Sequence, residues 1–203
     1  MSNLIYLASD NPLPKLQNPH EHLLSVKEAL SLGIKVPDWL LKDTSIGHEK
    51  PIILWTDRND EPASDTKSIQ NDSPDDDFSI IPMQKQEDIF SEKRYCASLE
   101  WSNYTKGRAR RLISYIRQQL EHTPSLEIWH IWMGISYPPP KIIRTKLPAE
   151  ELDEKVIEKL EAMDVFTMVP LAGTCRISGD WEMNEDELMV GVQYCYEIAA
   201  HKT

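Results

Sequence analysis

The sequence predicts an α+β fold, a mainly antiparallel sheet with helices on one face. Three observations predict it. RYCASLEW at 94–101 alternates, with Tyr95, Ala97, Leu99 and Trp101 on one face, which is the period of a half-buried strand. In TKGRARRLISYIRQQLEH the apolar residues Ala109, Leu112, Ile113, Ile116 and Leu120 recur at helical spacing, predicting a helix over 106–122. Between about 94 and 170 the patterns follow in the order strand, helix, strand, strand, helix, strand, that of a split βαβ, or ferredoxin-like, core. At 203 residues the chain fits a single domain of three parts: an N-terminal αβ extension (1–56) packed on the core, an acidic mobile loop (57–77) and the main α+β core (78–203).

Taken in order, LIYLAS at 4–9 reads as a first strand, and DNPLP after it as a turn within an irregular stretch over 10–22. Ser25 with Glu28 three positions on makes a capping box, Leu24 supplies the hydrophobic staple, and a short helix follows over 26–32. Gly33 is placed to end it in a left-handed conformation. Asp38 caps a turn carrying Trp39, Leu40 and Leu41, and IILW at 52–55 reads as a buried strand. FSIIPM at 78–83 restores apolar character, but Pro82 confines it to a sheet edge or a strand end. LEIWHIWM at 126–133 is apolar on both faces apart from Glu127 and His130, so it reads as a strand covered on both sides. PPP at 138–140 turns into KIIRTKL, and Pro148, Glu150 and Glu151 make a favourable helix start ahead of the stripe Leu152, Val156, Leu160, Met163. The stretches 165–170 and 189–198 are strand-like, with a helix as the alternative for the second.

The net charge is −11, and residues 57–77 account for −6 of it, with eight Asp or Glu against Arg58 and Lys67. Such a distribution repels nucleic acid at long range and attracts basic partners. The same segment has too little apolar surface to offset its ordering entropy. No apolar run approaches the ~20 residues that span a bilayer, and the first residues lack the basic-then-apolar layout of a secretory signal, so a cytoplasmic, non-membrane protein is expected. Cys96, Cys175 and Cys195 form no close pair and read as buried free thiols. Of the six Trp, residues 101, 129 and 132 are expected mainly in the core.

Motifs of the common enzyme classes are absent: there is no dinucleotide fingerprint, P-loop, HExxH, CxxC or GxSxG. His20 and His22 offer two imidazoles with no third ligand, and Asp75, Asp76 and Asp77 lack the alternation and glycine of a calcium loop, so neither a metal nor a cofactor is expected. His130 in its apolar strand and Glu100 opposite Leu99 are the candidate acid/base residues; the bland readings are a satisfied core histidine and a salt-bridge partner. The basic run in YTKGRARR carries Lys106, Arg108, Arg110 and Arg111 at a helix start, where the dipole disfavours cations by about 0.3 to 1 kcal/mol each. Either acidic neighbours compensate, or Lys106, Arg108 and Arg111 clamp an anion.

The strings LIYLASDNPLP, LEWSNYTKGRARRLISYI and EIWHIWMG together resemble a family of small uncharacterised bacterial cytosolic proteins with no assigned activity. The resemblance covers most of 1–134, implies a bacterial, cytoplasmic setting, and carries no catalytic residue over. The function expected is a non-catalytic interaction protein, an acidic inhibitor or immunity-type binder of a basic protein, with Asp75, Asp76 and Asp77 as partner-binding residues. The alternative is an enzyme or ligand-binding module for a small phosphorylated or carboxylated molecule, using the Arg clamp. The sequence leaves the oligomeric state open.

Overall fold

LIYLA is buried from Ile5 to Ala8 on both faces, which is the environment of a strand in the middle of a sheet rather than at its margin. It forms β1 (Ser2–Ser9). In this computed structural model, which describes residues 2–42, 47–56, 77–85, 89–101, 103–133, 140–165, 168–170 and 189–200, the chain divides into two compact units, 1–16 with 78–203 and 17–77. The N-terminal segment is therefore not one extension to residue 56. Its first strand belongs to the large sheet, and the remainder belongs to the second unit.

The second unit holds β2 (Glu21–Ser25), α1 (Val26–Ser31), α2 (Asp38–Lys42) and β3 (Pro51–Thr56). β2 pairs antiparallel with β3, so the irregular stretch expected to residue 22 gives way to a strand at Glu21. The capping box forms: the Ser25 hydroxyl accepts from the Glu28 N–H, and the Glu28 carboxylate accepts from the Ser25 N–H at 2.8 Å. The Ser25 N–H, together with the Ser25 hydroxyl, which also donates to the Glu28 carboxylate at 2.7 Å, holds that carboxyl below its ordinary pKa. Gly33 takes φ +72°, the left-handed conformation expected of it. Val26, Ala29, Val36 and Leu40 make a small core under Leu24, Ile52 and Ile53.

The large unit continues with β4 (Ser79–Met83), β5 (Tyr95–Glu100), α3 (Lys106–Leu120), β6 (Ser125–Met133), β7 (Lys141–Pro148), α4 (Glu154–Glu161), β8 (Met168–Pro170) and β9 (Met189–Ala199). Among the described residues its sheet has seven strands in the order β4-β5-β1-β6-β9-β7, with β8 paired to β9 off this path. All pairings are antiparallel except β7 with β9. The fold is thus α+β with a mainly antiparallel sheet. Both β5 and β6 run against β1, so β5-α3-β6 is a split βαβ with β1 in the gap. The later crossover is not split, because β7 and β9 lie side by side. The segment 189–198, left open between strand and helix, is strand.

α3 and α4 pack on one face of the sheet, over Ile5, Leu7, Leu99, Leu126, Ile128 and Ile198. α3 begins at the expected residue because the Thr105 hydroxyl accepts from the Arg108 N–H at 3.1 Å. α4 begins later than Pro148 suggests. Residues 149–151 form a single 3-10 turn, Leu152 returns to an extended conformation as it enters the core, and Asp153 restarts the helix by accepting from the Val156 N–H. On the opposite face Tyr6, Ala8, Cys96, Trp129, Ile131 and Cys195 form a second core.

Candidate functional site

The basic helix start is occupied by its own neighbours. Arg108 is only 3% exposed; its Nη1 donates to the Asn103 carbonyl at 2.6 Å and to the Asn103 side-chain oxygen. Burial raises the Glu161 carboxyl, opposed by a Trp101 side-chain bond, the Arg108 guanidinium and the Tyr104 backbone. Arg110 Nε donates to Glu154 at 2.8 Å and holds that carboxyl below its usual range. Lys106 and Arg111 are exposed on the same turns. Four cations at a helix start thus have local partners for at least two of them, supplied by Asn103 and the first turn of α4.

His130 lies at the centre of the helix-covered face, 1% exposed. Its Nδ1 stands 2.9 Å from the Leu160 carbonyl, which only accepts, so the proton sits on Nδ1; Nε2 then accepts from the Asn3 amide at 3.3 Å. Both ring nitrogens are used by the neutral form. Burial lowers its pKa, against the raising effect of the Leu160 bond. The register aligns His130 with Ile5 and Ile5 with Leu99, so Glu100 lies one row away and points to the other face. Glu100 is exposed and accepts from the Ser98 hydroxyl at 3.2 Å. The structure does not bring these two candidate acid/base residues together.

A depressed histidine pKa has a fixed sign. The unfolded chain binds this proton more readily, so the contribution is fully present above the unfolded pKa near 6.5 and is lost as pH falls toward the folded value. Wild type therefore loses stability as pH falls below about 6.5 that His130→Asn, which keeps a donor for Leu160, does not lose. Urea titrations at several pH values check this. Parallel stability curves for the two proteins would refute the assignment.

The most elaborate polar arrangement lies on the opposite face, around Glu127 and Arg144. Glu127 is buried; its Oε1 accepts from Arg144 Nη1 at 2.9 Å, and its Oε2 accepts from the Ser91 hydroxyl at 2.5 Å and from Trp129 Nε1 at 2.8 Å. The Arg144 guanidinium lies 4.7 Å from the centre of the Trp129 ring, which stacks on Tyr6 at 5.7 Å and 7°. Next to it Lys93 donates to Asp10 at 2.6 Å and to Ser125 at 2.9 Å, so residues 91–93 are tied to the sheet. The available signal was Glu127 itself: an acid inside a strand covered on both faces needs a cation, and KIIRTKL supplies one.

This cluster has the chemistry of a structural device. Both oxygens of Glu127 are engaged, and the buried thiols nearby are held as thiols, Cys195 pushed up to about 12 by burial and Cys96 also raised by burial. Burial likewise raises the Tyr6 hydroxyl, which approaches the Ser91 backbone without meeting hydrogen-bond geometry. Among the described residues no group of three or more His, Cys, Asp or Glu is placed to hold a metal ion.

The second unit differs in its surface. Six of the seven exposed large apolar side chains among the described residues belong to it: Leu23, Leu30, Leu32, Trp39, Leu41 and Leu54. Leu23 and Leu54 are a directly opposed cross-strand pair. Their neighbours Leu24 and Ile53 pack into the small core, so alternation turns this pair outward, with Leu54 68% exposed. β3 then leads directly into the acidic segment. Asp75 and Asp76 lie outside the described residues, as does most of that segment; Asp77 is half-buried.

No family model, curated protein or solved structure matches the chain. The functional reading therefore rests on its own residues.

Proposed function

We propose that the protein is a non-catalytic interaction protein that binds a basic protein partner through the unit formed by residues 17–77. The observation that carries this is the concentration of exposed apolar side chains there, continuous in sequence with a segment of net charge −6. Exposed apolar surface of this kind supports a protein contact, and the adjoining carboxylates favour a cationic partner and speed encounter with it. An acidic inhibitor or immunity-type protein of the bacterial cytosol has these needs. Nucleic acid is disfavoured by the same charge. Among the described residues no helix is long and apolar enough to cross a membrane. The alternative enzyme reading, with an Arg clamp at the start of α3, is less well supported, because Arg108 would have to leave Asn103 to serve it.

The test is capture from native lysate by wild type and by Leu23→Thr/Leu54→Thr, two exposed positions on paired strands where a β-branched polar residue suits the strand and adds no like-charge pair. Wild type is expected to retain one basic protein in stoichiometric amount, with association slowed by salt because exposed charges are screened within about 10 Å at 0.1 M. The variant is expected to lose it while keeping its circular dichroism. An identical set of retained proteins for both chains would overturn the assignment of the surface.

A further inference from the structure

Where α3 ends, the large unit has a cleft of ≈ 580 Å³ lined by Arg117, Leu120, Glu121, Ala149, Glu150 and Ala200. That volume suits a small molecule. Arg117 and Glu121 stand four residues apart at the end of α3, a spacing at which opposite charges on a helix ordinarily meet. Here they form no ion pair with each other. Arg117 Nη2 donates instead to the Leu152 carbonyl at 3.0 Å, which draws the guanidinium toward the seam between α3 and residues 149–154. Its other N–H groups have no partner among the described residues, and neither has the exposed Glu121 carboxylate. Glu150, the remaining charged side chain of the lining, has an interaction of its own and is already engaged.

We propose that this cleft binds an aliphatic α-amino acid as its zwitterion. A simple anion would satisfy Arg117 but be repelled by Glu121, and a simple cation would meet the reverse. Only a ligand carrying both charges suits both side chains. The planar guanidinium of Arg117 still has N–H groups to offer a carboxylate, in charge-assisted bonds that neutral donors do not match. Glu121 receives the ammonium. The terminal carbonyls of α3, the negative pole of a helix of 15 residues, act there with the same sign. Leu120 and Ala149 are buried and, with Ala200, supply an apolar wall for the ligand's aliphatic side chain. One cation, one anion and an apolar wall in one cleft are the three contacts that such a molecule can make.

The cleft is tested without the protein partner, so its failure and that of the interaction reading are separate results. The full chain, labelled with nitrogen-15, is titrated with L-leucine, with leucinamide, which lacks the carboxylate, and with N-acetyl-leucine, which lacks the ammonium. Leucine is expected to move the amide signals of Leu120, Glu121, Ala149 and Ala200 to saturation, and to bind at least tenfold tighter than either analogue, since each analogue loses a charge-assisted contact. Arg117→Gln should lose at least tenfold for leucine and then bind leucine and leucinamide alike. Glu121→Gln should lose as much and then bind leucine and N-acetyl-leucine alike. Should Arg117→Gln fail to fold for want of its bond to Leu152, Glu121→Gln carries the test, because its carboxylate has no partner in the fold. Equal affinity for the three ligands, leucine shifts that do not saturate or that fall elsewhere in the chain, or wild-type affinity in Glu121→Gln would each overturn the site.

Discussion

Trp129→Ala is expected to cost about 5 kcal/mol of folding stability, at the upper end of the range for truncating a fully enclosed aromatic. The side chain is 0% exposed and three separate interactions end on it. Removing it opens a cavity beside Ile131 and Cys195, abolishes the stack on Tyr6, leaves the Arg144 guanidinium without its ring, and takes one donor from a buried carboxylate. The stack alone is worth about 0.5 to 1.5 kcal/mol beyond area, and an under-satisfied buried acceptor costs about 1 to 3. Trp39→Ala is the control: at 66% exposure it should change stability by no more than about 0.5 kcal/mol. Denaturant midpoints for the two variants measure the contrast directly. A loss below about 2 kcal/mol for Trp129→Ala would mean that the second face repacks around the gap.

Arg144→Leu should be the next most damaging change, costing about 3 kcal/mol, because it strands Glu127 as a buried charge. The estimate sits at the low end of the usual range since Ser91 and Trp129 still donate to that carboxylate, and since the arginine side chain is 38% exposed against 7% for the glutamate. The pair Glu127→Leu/Arg144→Leu should recover much of the loss, as an apolar replacement removes both the charge and the cost of burying it. A double-mutant cycle separates these terms. If Arg144→Leu and the double variant were equally destabilised, the loss would lie in packing, not in the charge.

The two sites also explain what could be read in advance. The α+β class, the 106 start of α3 and the capping box at Ser25 were legible because each is set by neighbours in sequence: apolar spacing, a hydroxyl three residues before the N–H it accepts from, a glycine at the turn. The position of β1 was not, since nothing in LIYLAS names its partners, although the absence of any charged residue on either face was a clue to a central strand. Arg108 read as a surface clamp because helical spacing put it off the main apolar stripe. Burial of its guanidinium depends on Asn103, and the nearby Glu161 stands 53 residues along the chain. Glu127 and Arg144 fell in segments read for their apolar content, and their pairing required knowing that β9 lies between β6 and β7.

The central place of β1 bears on how the protein comes to exist. Leu7 pairs with Ala97 on one side and with Ile128 on the other, so its strand has no lasting partner until residues far downstream have been made. At about 5–20 residues per second, the interval between synthesis of Leu7 and of Ile128 is roughly 6 to 24 s. Until β5 is made LIYLA is a sticky, unpaired ribbon, and until β6 is made it has only one neighbour; sheets assembled from such distant pieces are slow to close. Shielding those five residues during translation is therefore expected to raise the yield of native protein.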